Sequence, residues 1–169
     1  MVSSERGFHF WFEFGLMPLV VISAIAVHFW TGGSFLAFIV LAPLGWVLWT
    51  LAEYWLHRVA HTSLAPRYVR EQHNHHHRAP EDDLMFPIWM VPAILVALFV
   101  IAPVVLVAGI AAGYFYFIVL HQLTHHAKPE PGTWLYRVIA QHERHHGDAE
   151  VNYGVTVDWW DRVFGTYQS

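Results

Sequence analysis

Charged residues leave two long gaps along this chain. No Asp, Glu, Lys or Arg occurs from Phe14 to Ala52, nor from Leu84 to Ala127. A helix needs about 20 apolar residues to cross a bilayer core of about 30 Å, so each gap is long enough to cross twice. The first is interrupted by the stretch WTGGS around Gly32 and Gly33, the second near Pro103, which cannot continue a helix, with Gly109 as the alternative break. The pattern predicts four membrane helices, over about 14–30, 34–54, 86–102 and 104–121, paired in two hairpins. The polar segments 55–85 and 122–169 then fall on one side.

Composition strengthens this reading. Hydrophobic residues make up 56% of the chain and charged ones 13%, and the mean hydropathy is +0.36. The expectation is one all-α integral membrane domain over residues 1–169, with a helical cap. All nine Lys and Arg (Arg6, Arg58, Arg67, Arg70, Arg78, Lys128, Arg137, Arg144 and Arg162) lie on the face of the two polar segments. By the positive-inside rule that face, with both termini, is cytoplasmic. The expected location is a bacterial inner membrane or, in a eukaryote, the endoplasmic reticulum. A net charge of -4 gives no sign of a nucleic-acid partner, and the absence of cysteine excludes disulfides and thiolate ligands.

Histidine changes the picture. Of 14 histidines, all but His9 and His28 fall in four clusters, each at a helix end or in the polar segments. EYWLHRVAH carries His57 and His61. HNHHH carries His73, His76 and His77, with His75 beside them. LHQLTHH carries His121 and His125, with His126 beside them. QHERHH carries His142, His145 and His146. The order HxxxH, HxxHH, HxxxH, HxxHH makes the chain two similar halves. Positions i, i+3 and i+4 share one helix face, so each cluster offers two or three imidazoles in one direction. Metal binding is the natural way to hold so many imidazoles close together and neutral.

Ten ligands suggest two ions. Imidazole suits zinc, copper, iron and nickel alike, so ligand type alone does not choose the metal. Glu53, Asp82, Glu143 and Asp161 are candidate acceptors for the outer ring N–H groups. A membrane metal transporter is the outside alternative, but transporters place ionisable groups near the bilayer midplane, whereas these clusters lie at helix ends and beyond. The aromatic tail VDWWDRVFGTYQS is read as structural, with Trp159, Trp160 and Phe164 docking it.

Three segments resemble the membrane fatty acid hydroxylase and sterol desaturase superfamily, and within it the fatty-acid alpha-hydroxylase branch. They are GYFYFIVLHQLTHH, HHRAPEDDLMFP and QHERHHGDAEVNYGVTVDWWDRVFGTY. The resemblance covers about residues 45–168. It implies a di-iron monooxygenase that uses dioxygen to hydroxylate a lipid acyl chain, at the carbon next to the carbonyl of a fatty acid or sphingolipid acyl group. It carries the metal ligands onto His57, His61, His73, His76, His77, His121, His125, His142, His145 and His146, with His75 and His126 falling beside the pattern. Zinc can replace iron at such imidazole sites in a purified sample, but it has no redox chemistry. The fused b-type cytochrome domain common in eukaryotic members is not seen, so an external donor is expected: a cytochrome, or a ferredoxin with its reductase. Only three residues separate His57 from His61, the sterol-desaturase spacing. A sterol desaturase, a sterol methyl oxidase or a carotenoid hydroxylase therefore stays open. Trp46, Trp49, Trp55, Trp89 and Tyr116 are candidates to line the lipid's route, although interfacial anchoring is the commoner role of Trp and Tyr.

Overall fold

A computed structural model describes residues 3–80, 82 and 89–169, the side chains of residues 3–10 excepted. Among these residues seven helices follow one another: α1 (Ser3–Trp30), α2 (Phe35–Ala60), α3 (Arg67–Arg78), α4 (Met90–Ile101), α5 (Val104–His126), α6 (Trp134–Gly147) and α7 (Trp159–Phe164). No strand occurs among the described residues.

Among the described residues three stretches are long and apolar enough to cross a membrane: Trp11–Trp30, Phe35–Ala60 and Val104–His126. The breaks fall where glycine and proline require them. Gly32 takes a φ of 81° between α1 and α2, and Pro103 stands between α4 and α5, its carbonyl receiving the Leu106 and Val107 N–H groups. Two boundaries differ from expectation. The second and fourth apolar helices run on to Ala60 and His126, because the polar residues after 54 and 121 continue the helical hydrogen bonding. The stretch expected over 86–102 is described only from Trp89 on, and α4 has 12 residues, fewer than the roughly 20 a crossing needs.

The chain divides into two compact units, Met1–Trp49 with Met85–Tyr116, and Thr50–Leu84 with Phe117–Ser169. The first is the apolar one. Met17, Leu95, Val107 and Ala111 form its buried centre, packed by Val20, Val21, Val91 and Phe115. Here α2 and α5 approach backbone to backbone, since a Cβ at Gly45 would overlap the Leu106 carbonyl and one at Gly109 the Ala42 carbonyl. Close crossing at small residues is the usual way apolar helices pack without a hydrophobic driving force. Large apolar side chains such as Ile22, Trp30 and Leu36 face outward. His28 is buried, and its Nε2 lies 3.1 Å from the Ser34 carbonyl at the α1–α2 turn. His9 lies outside the described side chains.

The second unit carries the four histidine clusters. It contains the C-terminal ends of α2 and α5 with α3, α6 and α7. Helix α6 begins at Thr133, whose hydroxyl receives the Tyr136 N–H at 3.2 Å, a standard N-cap. Helix α7 stops at Gly165, which takes a left-handed φ of 73°. The aromatic tail docks on α2. The Trp160 indole N–H donates to the Thr50 hydroxyl at 3.0 Å, and the Phe164 ring stacks on Tyr54 at 5.1 Å.

Candidate metal centre

The helix ends bring nine imidazoles into two groups. His57, His61, His73, His77 and His145 form one, and His76, His125, His142 and His146 the other; in each group the candidate ligand atoms lie within 4.8 Å of one another. His121 stands at the edge of the second, its Nε2 3.1 Å from that of His76. All ten histidines of the four repeated motifs are thus brought together. His75 and His126 are not. His75 turns to Asp82, with Nε2–Oδ2 at 2.9 Å, and His126 is exposed.

The two HxxHH motifs do not act as single faces. Within α3, His73 and His77 join the five-histidine group while His76 joins the other; within α6, His142 and His146 join the four-histidine group while His145 crosses to the first. Residues four apart on a helix lie nearly one above the other, but the residue three along is rotated to the side of that line. Each cap helix therefore gives an i, i+4 pair to one group and its intervening histidine to the other. The exchange is reciprocal, as two similar halves of sequence require. The His77 and His146 rings meet between the groups, stacked at 4.4 Å.

Nitrogen meets nitrogen within each group. Nε2–Nε2 separations are 2.8 Å for His61–His73, 3.1 Å for His73–His77 and 3.1 Å for His61–His145. In the other group they are 2.9 Å for His125–His142 and 3.1 Å for His142–His146. The rings cannot satisfy one another by hydrogen bonding alone. His57 Nδ1 lies 2.5 Å from the Tyr153 carbonyl and His145 Nδ1 2.7 Å from the Val151 carbonyl. A carbonyl only accepts, so these rings carry their proton on Nδ1 and present a bare Nε2 lone pair inward. Converging lone pairs repel unless a cation lies among them. The donor set, all imidazole, suits a late first-row transition metal.

Burial keeps these rings neutral. It is the main cause that lowers His61 and His146 to about 4 and His76 and His145 to about 3, with His77 and His142 lowered too. Neighbouring imidazoles deepen the effect at His61, His76 and His146. A metal ligand must be unprotonated, and these rings are so without competing for protons near neutral pH.

The carboxylates play a different part from the expected one. Glu53 receives no ring N–H. Its Oε1 accepts the Val155 and Thr156 N–H groups at 2.7 and 2.9 Å, and its Oε2 the Thr156 hydroxyl. Asp161 accepts the N–H groups of Tyr153 and Gly154, both at 2.8 Å, and the Thr166 hydroxyl at 2.7 Å. Asp82 pairs with His75, outside both groups, and Glu143 is exposed. The acceptors that do orient rings are the backbone carbonyls of Val151 and Tyr153. Backbone carbonyls leave no mark in a sequence. The available signal was Asn152, which holds a φ of 50° in a segment punctuated by Gly154.

The candidate route aromatics are placed separately. Trp46 lines an apolar groove of about 380 Å³ in the first unit, with Phe38, Pro43 and Gly109. Trp49 meets Tyr114 edge-on at 5.0 Å, and Trp55 meets Phe164 at 5.1 Å. Trp89 is largely exposed, and Tyr116 is half-buried.

Residues 42–166 match the model of the fatty acid hydroxylase family. A fatty acid 2-hydroxylase of Rattus norvegicus is 33% identical over 145 residues, which cover 73% of this chain and 38% of that protein. A dihydroceramide fatty acyl 2-hydroxylase of Arabidopsis thaliana is 31% identical over 138 residues, 72% of this chain and 58% of the relative. The chain thus spans about two-fifths to three-fifths of those curated relatives. Among solved structures, full-length Scs7p, of which only the hydroxylase domain is visible, aligns with a TM-score of 0.69 at 27% identity, over 92% of this chain and 64% of that one.

Proposed function

Since the chain belongs to the fatty acid hydroxylase family, we propose that it is a membrane monooxygenase that hydroxylates a lipid acyl chain at C2, on a fatty acid or a sphingolipid acyl group. The observation that carries the reading is the convergence of imidazole nitrogens into two adjacent groups. His57, His61, His73, His77 and His145 would hold one iron ion, and His76, His125, His142 and His146, with His121 beside them, the other. Bound there, the iron pair would supply the redox chemistry that splits dioxygen and oxidises an unactivated C–H bond.

The balance is one acyl CH2, one dioxygen, two electrons and two protons, giving CHOH and water. The electrons come from an external donor, a cytochrome or a ferredoxin with its reductase. The chain's own residues hold and orient. The Val151 and Tyr153 carbonyls keep His145 and His57 in the Nδ1–H form. Burial keeps the cap imidazoles unprotonated, so they would offer lone pairs to the metals without adding charge of their own. The apolar stretches of α1, α2 and α5 support a multi-pass membrane protein. In the topology proposed here α4 completes four spans, with the histidine cap and both termini cytoplasmic. A carboxyl or amide at that rim would bring the second acyl carbon nearest the metals.

Cells expressing the chain under labelled dioxygen test this. The expected product is a 2-hydroxy acyl group carrying the label, absent when His145→Ala replaces the wild type. A new double bond without label in an acyl chain or a sterol would show desaturation, the alternative that the short His57–His61 spacing favours.

A further inference from the structure

The segment 151–156 is short and has no regular structure, yet it is held from three sides. Glu53, on α2, is buried and takes both the Val155 and Thr156 N–H groups together with the Thr156 hydroxyl. Asp161, on α7, is buried and takes the N–H groups of Tyr153 and Gly154. Asn152 closes a reciprocal pair with Gln168, its amide donating to the Gln168 carbonyl at 3.0 Å and its own Oδ1 accepting the Gln168 N–H at 2.9 Å. The Asn152 N–H donates to the Thr166 carbonyl at 2.9 Å. Gly154 is required, since a Cβ there would overlap the Val157 carbonyl and crowd the Asp161 carboxylate.

Two buried carboxylates spent on four backbone N–H groups is a large investment in one loop. What the loop delivers is two carbonyls: Val151 to His145 and Tyr153 to His57. Both rings belong to the five-histidine group. In the four-histidine group no described segment plays this part for two rings: His76 has the backbone of Asp82 beside it, and His142 Nδ1 is buried without a hydrogen-bond partner among the described residues.

We infer that Glu53 and Asp161 are positioning residues that hold the 151–156 segment as a strap, fixing the tautomers of His57 and His145 and so tuning one metal position and not the other. The inference rests on the dimetal reading of the proposed function. It makes the two metal positions unequal by construction. One position has two of its five imidazoles set in advance by carbonyls of the strap; the other has no strap and relies chiefly on packing of α3, α5 and α6. Loss of the strap then frees two rings of one group to rotate or to move their proton to Nε2, while the rings of the other group keep their surroundings.

The test is anaerobic titration of the purified full chain with ferrous iron, counting bound ions per chain. The wild type is expected to bind two. Glu53→Ala is expected to bind one. Adding His145→Ala to Glu53→Ala changes nothing further, because both act on the same position, whereas adding His142→Ala removes the remaining ion. Glu53→Gln keeps an acceptor oxygen for the strap and rescues the second ion, with its affinity down about tenfold, the usual scale for groups that orient metal ligands. Asp161→Asn follows the same course, which keeps the inference testable if Glu53→Ala does not fold. A purely structural role predicts that both ions weaken together in every variant, and that result would overturn the inference. Two ions of unchanged affinity in Glu53→Ala and Asp161→Asn would overturn it as well, leaving the dimetal reading intact. A folded wild type that binds no iron would overturn both.

Discussion

The five-histidine and four-histidine groups draw on the same two cap helices but are anchored in different ways. Each takes an i, i+4 pair from one of α3 and α6 and the intervening histidine from the other. Each also takes histidines from the end of a long apolar helix, His57 at the end of α2 with His61 just beyond it, and His125 on α5. The difference lies behind the rings. The first group has carbonyl acceptors on a strap held by Glu53 and Asp161. The second has no such strap among the described residues, and its buried His142 Nδ1 has no hydrogen-bond partner there. A buried polar group left unsatisfied costs about 1–3 kcal/mol. The comparison teaches that a repeated sequence motif builds two similar ligand sets without building two similar sites.

The largest effect is expected from the ligands themselves. His145→Ala and His142→Ala should each reduce hydroxylation to background, as measured by mass spectrometry of membrane lipids. If the two positions form one centre, as proposed, the double variant should lose little more than either single one. Additive partial losses would show that the groups work independently.

Acid should come next, and its sign is fixed by burial. The folded state holds His61 and His146 at about 4 and His76 and His145 at about 3, whereas an unfolded imidazole titrates near 6.5. Below that value the unfolded chain takes up protons that the folded chain refuses. The metal-free protein should therefore be fully stable above about pH 6.5 and lose stability as pH falls toward about 4. Thermal unfolding in detergent across that range checks it; a melting temperature independent of pH would contradict the burial of the rings.

A smaller effect separates shared from private support. Thr133 caps α6, the helix that serves both groups. Thr133→Ala should cost about 1 kcal/mol and weaken both ions in step, unlike Glu53→Ala. Iron titration distinguishes the two patterns. The smallest effect belongs to His75 and His126, which lie outside both groups. Replacing either with Ala should leave iron content and product unchanged.

Much of this was legible along the chain. Charge-free runs broken by Gly32 and Pro103 marked the long helices, because glycine and proline act locally. Spacings of three and four marked which histidines share a helix face, because that periodicity belongs to the helix alone. The division of each HxxHH motif between two groups was not legible: it depends on what faces His76 and His77, or His145 and His146, from other helices. Glu53 was visible as a candidate but not in its role. Its partners Val155 and Thr156 lie about a hundred residues away in sequence and meet it through backbone N–H groups that every residue possesses. The start of the stretch expected over 86–102 lies outside the described residues, which take it up at Trp89.

The most direct test is where iron sits. Crystals of the iron-loaded protein, measured on both sides of the iron absorption edge, should show two anomalous peaks in each chain. One should lie among His57, His61, His73, His77 and His145, the other among His76, His125, His142 and His146. A single peak, or peaks ligated by carboxylates away from these rings, would contradict the account.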